Sequence, residues 1–235
     1  MHAMNPRAVR AICFDLDNTL WEVEPVLARA ERILYEWLGL RYPKIPEHFP
    51  PARMLETRAR LLAENPHQAH DLTWLRREAL ARVAAEVGYE RDIAREAFAL
   101  WHAARNEVQP FEEVIPALEK LRGTYRLATL TNGNADLDTI GLAHHFEINL
   151  NAVALGCAKP DPRAYEGLAA ALTLKPAEIL FVGDEPAADI TGPRMVGMQT
   201  VWVNRTRAEW PAGLPAADAS VTDLQSLVTL LDATV

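Results

Sequence analysis

The sequence predicts an α/β fold in which a doubly wound parallel sheet carries an inserted all-helical segment. After about residue 108, apolar runs of strand length alternate with stretches of helical periodicity. This alternation indicates parallel strands joined by right-handed helical crossovers. Between about residues 25 and 108, apolar residues recur at helical spacing and no convincing strand is found. We therefore expect this stretch to form a unit of about four helices.

The individual elements follow from the same patterns. An apolar run over residues 8–14 predicts a first, buried strand, because it ends abruptly at acidic residues. After the insertion, the patterns predict strands over residues 126–130, 148–152, 179–182 and 200–203, and helices over residues 112–122, beyond Asn134, beyond Asp161 and between the last two strands. Asp161 and Pro162 are typical of an N-cap and a first helical residue. We expect residues 1–20 and 108–235 to form the α/β domain and residues 21–107 the helical domain.

The composition argues against several classes of function. A chain of 235 residues that is 49% hydrophobic can bury a sizeable core. Its net charge of −8 argues against a nucleic-acid-binding surface, because phosphate backbones are held by clustered Lys and Arg. No run approaches the roughly 20 apolar residues that span a bilayer, so we expect no membrane segment and a cytoplasmic location. Cys13 and Cys157 lie far apart in sequence, and no disulfide is expected.

Polar side chains stand where four of the predicted strands end. They are Asp15, Asp17 and Thr19 after the first strand, Thr131 and Asn132 after the second, Lys159 after the third, and Asp184 and Asp189 after the fourth. Ligands of open parallel sheets bind beyond the carboxyl ends of the strands, so these groups can converge. Crowded carboxylates repel one another unless a cation lies between them, and magnesium prefers oxygen ligands. A hydroxyl, an amide and a lysine beside such a cation suit a phosphoryl group.

Four segments also resemble, in order, the sequence motifs of one known superfamily. They are FDLDNTL at residues 14–20, LTNGN at 130–134, AKPDP around Lys159, and VGDEPAAD at 182–189. These segments resemble the four motifs of the haloacid dehalogenase (HAD) superfamily. The long helical insertion after the first motif resembles the subgroup that carries a helical cap domain there. The resemblance implies a Rossmann-like core and a Mg2+-dependent phosphatase that forms a phosphoryl-aspartate intermediate.

Carried over position by position, the resemblance implies roles for the strand-end residues. Asp15 would be the nucleophile and a metal ligand, and Asp17 would be the general acid and base, with its backbone carbonyl on the metal. The phosphoryl group would be bound by Thr131, Asn132 and Lys159. Asp184 would bind the metal, and Asp189 would support these residues without binding the metal itself. Dehalogenases of this superfamily lack the second acid and need no metal, so Asp17 and Asp184 favour phosphoryl transfer. The covalent step divides one difficult displacement into two easier ones.

The sequence predicts the substrate less narrowly than it predicts the type of reaction. TNGNA at residues 131–135 and HDLTWLR at 70–76 resemble bacterial phosphatases of FMN and of a phosphorylated riboflavin precursor. On this basis we expect Trp21 and Asn134 to face the substrate, together with a residue of the helical segment, which is His70, Asp71, Thr73 or Arg76; of these four, His70 and Arg76 are the candidates for substrate specificity. A nucleotidase, a sugar-phosphate phosphatase and a phosphomutase remain alternative activities. The protein is expected to be a monomer or a homodimer. A phosphoacceptor signalling domain would be shorter and would lack the helical insertion, and a non-catalytic binding protein is a further alternative.

Overall fold

A computed structural model describes residues 5–233, which form two compact units. One unit comprises residues 5–22 and 109–233, and the other comprises Val23–Val108. Relative to the predicted boundaries, Trp21 and Glu22 fall in the first unit and Val108 in the second. The first unit is α/β and the second is all-helical.

The α/β unit is built on a six-stranded sheet, and every adjacent pair of strands is parallel. The strands are β1 (Ala11–Phe14), β2 (Arg126–Thr131), β3 (Ile148–Asn151), β4 (Ile179–Gly183), β5 (Gln199–Val203) and β6 (Ala219–Val221), in the spatial order β3-β2-β1-β4-β5-β6. All residues of β1 and β4 are buried, as expected for central strands covered on both faces. The predicted doubly wound parallel sheet is confirmed. The short edge strand β6 was not predicted.

The helical unit contains five α-helices. They are α1 (Val23–Arg41), α2 (Lys44–His48), α3 (Pro51–Glu64), α4 (Leu72–Glu86) and α5 (Ile93–Arg105). Asp71 caps α4, because its carboxylate accepts the Trp74 N–H at 2.7 Å. The fully buried stripe of α1 follows a spacing of four residues and consists of Val26, Ala30, Leu34 and Leu38. Ile33 and Trp37 of the same helix are only partly buried against the core of the helical unit.

The helices of the α/β unit lie between its strands, except for the last one, which follows β6. They are α6 (Val114–Leu121), α7 (Leu137–Ile140), α8 (Ala152–Leu155), α9 (Pro162–Leu172), α10 (Gly192–Met195) and α11 (Leu224–Asp232). The predicted start of α9 is confirmed, since the Asp161 carboxylate accepts the Arg163 N–H at 3.0 Å and Pro162 opens the helix. A π-helical turn, Pro186–Thr191, precedes α10. Within residues 5–233, no helix has the length and apolar character required to cross a membrane.

Candidate active site

The register of the sheet brings three acidic residues together beyond its carboxyl edge. Phe14 at the end of β1 lies beside Val182 of β4, and the Asp15 N–H donates to the Val182 carbonyl at 2.9 Å. Asp15 therefore leaves the centre of the sheet level with the segment that leads to Asp184. Carboxylate oxygens of Asp15, Asp184 and Asp189 all lie within 4.8 Å of one another. A cluster of this kind is a potential cation site.

Lys159 places its ammonium among these carboxylates. Its Nζ donates to Asp15 Oδ1 and to Asp189 Oδ1, each at 2.7 Å, and the three side chains are 3%, 11% and 1% exposed, respectively. Burial opposes the charge of Lys159, but the two carboxylates outweigh that effect and raise its pKa. Burial also raises the pKa of Asp15 well above its usual value, although Lys159 opposes this shift. The ammonium is therefore fully charged and held rigidly between the two acids.

The backbone of Lys159 is held by Asn132, which follows β2. The Asn132 amide donates to the Lys159 carbonyl at 2.8 Å and accepts the Lys159 N–H at 2.8 Å. The side chain of Asn132 thus fixes the lysine instead of presenting its own amide to a ligand. Buried Thr131 accepts the Gly133 N–H at 3.0 Å, and this bond leaves the hydroxyl hydrogen of Thr131 to be donated to an anion.

Asp189 is held from several sides in the π-helical turn. One of its oxygens accepts from Lys159, and the other accepts the Glu185 N–H at 3.0 Å. The hydroxyl of buried Tyr165 donates to the carbonyl of Ala188 next to it. Gly183 is required here, because a Cβ at that position would overlap the Asp189 carboxylate. Single π-turns of this kind often mark functional sites.

Asp184 carries an unfavourable charge. Burial raises its pKa to about 6, and repulsion from Asp189 acts in the same direction. The hydroxyl of Thr19 donates to Asp184 Oδ1 at 3.3 Å, and the Trp202 indole donates to the Asp184 carbonyl at 2.8 Å. Lys159 bonds Asp15 and Asp189 but not Asp184, so a cation beside Asp184 would relieve the repulsion among the three carboxylates.

Asp17 and Trp21 form a separate pair in the loop after β1. Asp17 is half-buried, and its Oδ1 accepts the indole N–H of Trp21 at 2.8 Å. Trp21 itself is completely buried. This environment differs from the substrate-facing position that the sequence suggested for Trp21. Asn134 and His70, which were also expected to contact substrate, are half-buried.

Arg76 also differs from its predicted environment. Within the helical unit, its guanidinium bonds to Glu31 at 2.5 Å and lies 3.5 Å from the centre of the Trp101 ring. Arg58 bonds to the same Glu31 oxygen at 3.2 Å. Burial, followed by repulsion from Arg58, lowers the pKa of Arg76 to about 10. These contacts join α1, α3, α4 and α5, and they assign Arg76 a role in holding the helical unit together.

Arg76→Ala is therefore expected to destabilise the protein by about 2 kcal/mol, because it removes a buried cation from Glu31 and from the Trp101 ring. Denaturant unfolding would measure the loss. Arg82→Ala is the matched control on the same helix, since the pair of Arg82 with Glu64 is more exposed and is worth about 1 kcal/mol or less. Unchanged stability together with altered substrate preference in Arg76→Ala would support the substrate contact instead.

Sequence reasoning missed two residues that support the site. Trp202 lies on β5 directly beside Gly183 of β4, which explains how its indole reaches the Asp184 carbonyl. Arg205 follows β5 and donates to the Thr19 carbonyl at 2.8 Å and to Glu113 at 2.8 Å. The available signal was their position at the carboxyl end of a predicted strand, the same rule that identified the acidic residues.

Comparison with known proteins identifies the class of protein. The family model of haloacid dehalogenase-like hydrolases matches residues 9–197. The chain therefore belongs to the haloacid dehalogenase-like hydrolase family, and the resemblance seen in the motifs is confirmed.

Individual relatives carry different activities in their names. The 5-amino-6-(5-phospho-D-ribitylamino)uracil phosphatase YigB of Escherichia coli strain K12 is 29% identical over 95% of this chain and 96% of its own length. The phosphoserine phosphatase of Thermus thermophilus is 32% identical over 93% of this chain and 98% of its own. The crystal structure of a 2-haloacid dehalogenase from Pseudomonas syringae pv. Tomato DC3000 is 35% identical, covers 97% of this chain and 100% of its own, and superposes with a TM-score of 0.91.

Proposed function

We propose that this protein is a magnesium-dependent phosphatase that hydrolyses a small phosphomonoester through a phosphoryl-aspartate formed on Asp15. The observation that carries the proposal is the cluster of Asp15, Asp184 and Asp189, whose carboxylate oxygens lie within 4.8 Å of one another around one bonded ammonium. A divalent cation would offset the remaining charge, and a phosphoryl group is the ligand that a cation and an ammonium bind together.

Asp15 is the proposed nucleophile. It leaves the central strand of the sheet, and its backbone N–H is bonded to β4, so the carboxylate is held in place before substrate arrives. Lys159 holds Oδ1, and its positive charge favours the ionised carboxylate and so opposes the effect of burial on the pKa of Asp15. The same ammonium has a third hydrogen, beyond the two given to Asp15 and Asp189, and would donate it to a phosphoryl oxygen.

The residues fit a magnesium ion. Asp15 and Asp184 would supply carboxylate oxygens, and Asp17 would supply its backbone carbonyl. Bound there, magnesium would neutralise the carboxylates and polarise a phosphoryl oxygen. Asp189 is proposed to support the site without binding the metal, because both of its oxygens already accept hydrogen bonds, from Lys159 and from the Glu185 N–H. Its role would be to hold the ammonium and the turn that follows Asp184.

The remaining groups suit the two halves of the reaction. Thr131 would donate its hydroxyl hydrogen to the phosphoryl group, and Asn132 would keep Lys159 in position. Asp17 would protonate the leaving oxygen and then take a proton from the attacking water. The helical unit would act as the cap that supplies substrate contacts, from His70 among others, together with Asn134 of the α/β unit.

The substrate is proposed to be FMN or a phosphate of the riboflavin pathway. Similarity to YigB over almost the full length of both chains supports this choice. Similarity to a phosphoserine phosphatase keeps other small phosphomonoesters as alternatives, including nucleotides and sugar phosphates, and a mutase reaction would use the same groups.

A dehalogenase is the second candidate function, because the structure from Pseudomonas syringae bears that name and superposes closely. Displacement of a halide by Asp15 needs no proton donor, since halide ions leave unprotonated, and it needs no cation to neutralise a phosphate. The acid at Asp17 and the excess charge around Asp184 would then have no chemical task. These two features favour the phosphatase.

One assay separates the two candidates. Phosphate release from FMN, nucleoside monophosphates, sugar phosphates and phosphoserine would be measured with magnesium and with EDTA, beside chloride release from 2-chloropropionate. Magnesium-dependent phosphate release is expected, and the preferred ester would define the substrate. Metal-independent chloride release without phosphate release would reject the proposal in favour of the dehalogenase.

The magnesium requirement is expected to depend on pH. The pKa of Asp184 is raised to about 6, so the site takes up a proton as the pH falls through that value. A proton and a metal compete for the same carboxylate, so the half-saturating magnesium concentration should rise by roughly tenfold for each pH unit below 6. Phosphate release titrated with magnesium between pH 5 and 8 would measure this. A requirement that does not change with pH would contradict the role of Asp184 as a ligand.

A further inference from the structure

We propose that Trp21 is a positioning residue whose indole N–H orients the Asp17 carboxyl group for proton transfer to the leaving oxygen, an inference that rests on the proposed phosphatase function. The indole Nε1 lies 2.8 Å from Asp17 Oδ1. Trp21 is completely buried, and a buried indole N–H without an acceptor destabilises the folded state. Asp17 is that acceptor.

The backbone around Trp21 is held firmly enough to position a neighbour. Trp21 forms isolated bridges with Asp17 on one side and with Pro110 on the other. Its carbonyl accepts the Asn18 N–H at 2.7 Å, and the preceding carbonyl, that of Leu20, accepts the Phe111 N–H at 3.0 Å. Asn18 adopts a left-handed conformation with φ 59°, which lets the chain turn back so that residue 21 returns to residue 17.

The direction of the hydrogen bond determines which oxygen of Asp17 carries the proton. An indole N–H is a donor only, so Oδ1 accepts from it, and Oδ2 is the oxygen that would exchange a proton with the leaving group. Because the indole fixes one edge of the carboxyl plane, it also fixes the direction in which Oδ2 offers its proton.

The same bond serves both half-reactions. As Asp15 attacks phosphorus, its oxygen forms a bond to phosphorus, the bond from phosphorus to the leaving oxygen breaks, and the proton of Asp17 moves to that oxygen. The carboxylate that remains is stabilised by the indole donor. Water then attacks the phosphoryl-aspartate, its proton goes to Asp17, and cleavage of the bond between phosphorus and the Asp15 oxygen restores the nucleophile.

Leaving-group dependence tests this role. Trp21→Phe keeps an aromatic ring and deletes the N–H. Because a nitrophenolate leaves without a proton whereas an alkoxide needs one, kcat/KM for an alkyl phosphate such as glycerol phosphate should fall about 10- to 100-fold. For p-nitrophenyl phosphate, kcat/KM should stay within about threefold of wild type, since the acid contributes little to that reaction. The ratio of the two values does not depend on the fraction of folded protein, so a loss of stability cannot imitate the result.

Trp202→Phe is the matched control, because it deletes another indole N–H, the one that is bonded to the Asp184 carbonyl at 2.8 Å. It should lower both rates equally. In an Asp17→Asn background, Trp21→Phe should lose its selectivity for the alkyl ester. Equal losses for the two esters in Trp21→Phe, or no loss for either, would overturn the positioning role while leaving the phosphatase intact. A wild type that releases phosphate from no ester would overturn the proposed function, and this inference with it.

Discussion

Asp15→Asn is expected to abolish phosphate release, with kcat lowered at least about 10⁴-fold. An amide has the shape of the carboxylate, but it cannot attack phosphorus and carries no charge to hold a metal. Burial raises the pKa of Asp15, which means that the buried charge is costly to the folded state. Its removal offsets part of the lost bond to Lys159, so the variant should remain folded while it loses activity.

Acid quenching during turnover would check the intermediate directly. Wild-type protein should carry one phosphoryl group that is labile to base, on the peptide that contains Asp15, and Asp15→Asn should carry none. Asp223→Asn is the matched control, because Asp223 caps α11 through Ser226 N–H at 2.7 Å and asparagine caps a helix equally well. Residual turnover above about 1% of wild type would contradict the assignment of Asp15 as nucleophile, once deamidation of the asparagine had been excluded by mass spectrometry.

The arrangement of the strand ends could be predicted from the sequence because it depends on the backbone alone. Asp15 and Asp184 directly follow two parallel strands, so both residues must lie at one edge of the sheet, whatever the side chains between them. Lys159 joins them as the motif order suggested, and its two bonds of 2.7 Å are the structural result. The edge strand β6 escaped prediction because three residues are too few to show a pattern.

Contacts that depend on packing could not be predicted in the same way. A tryptophan at the end of an apolar motif, such as Trp21, is compatible with a core position or with a substrate surface, and only the fold shows its indole on Asp17. Arg76 belongs to a segment that resembles a substrate-binding pattern, yet its partners Glu31 and Trp101 come from two other helices. Where three elements meet, periodicity gives the face of each helix but not the pairing of the side chains.

Lys159→Met is expected to remove both stability and activity. The side chain is 3% exposed and bonds two carboxylates that are 11% and 1% exposed. Without the ammonium, two buried acids face each other with no cation between them, and the loss of a buried cation costs about 3 to 5 kcal/mol. Because Lys159 would also donate to the phosphoryl group, kcat should fall about 10²- to 10³-fold even under conditions where the variant is folded.

The effect of this substitution on stability should depend on pH, with a definite sign. Burial already raises the pKa of Asp15, and without Lys159 to oppose that shift the pKa rises further. The folded variant then binds more protons than the unfolded chain, so its free energy of unfolding falls as the pH rises through the raised pKa and recovers at lower pH. Urea unfolding of wild type and Lys159→Met at pH 5 and pH 7.5 should show the smaller difference in the free energy of unfolding at pH 5.

Lys120→Met is the control, because it breaks a comparable but exposed pair with Asp232 and should cost about 1 kcal/mol or less at either pH. An equal loss for the two lysine variants would mean that the buried ammonium does not hold the acidic cluster together.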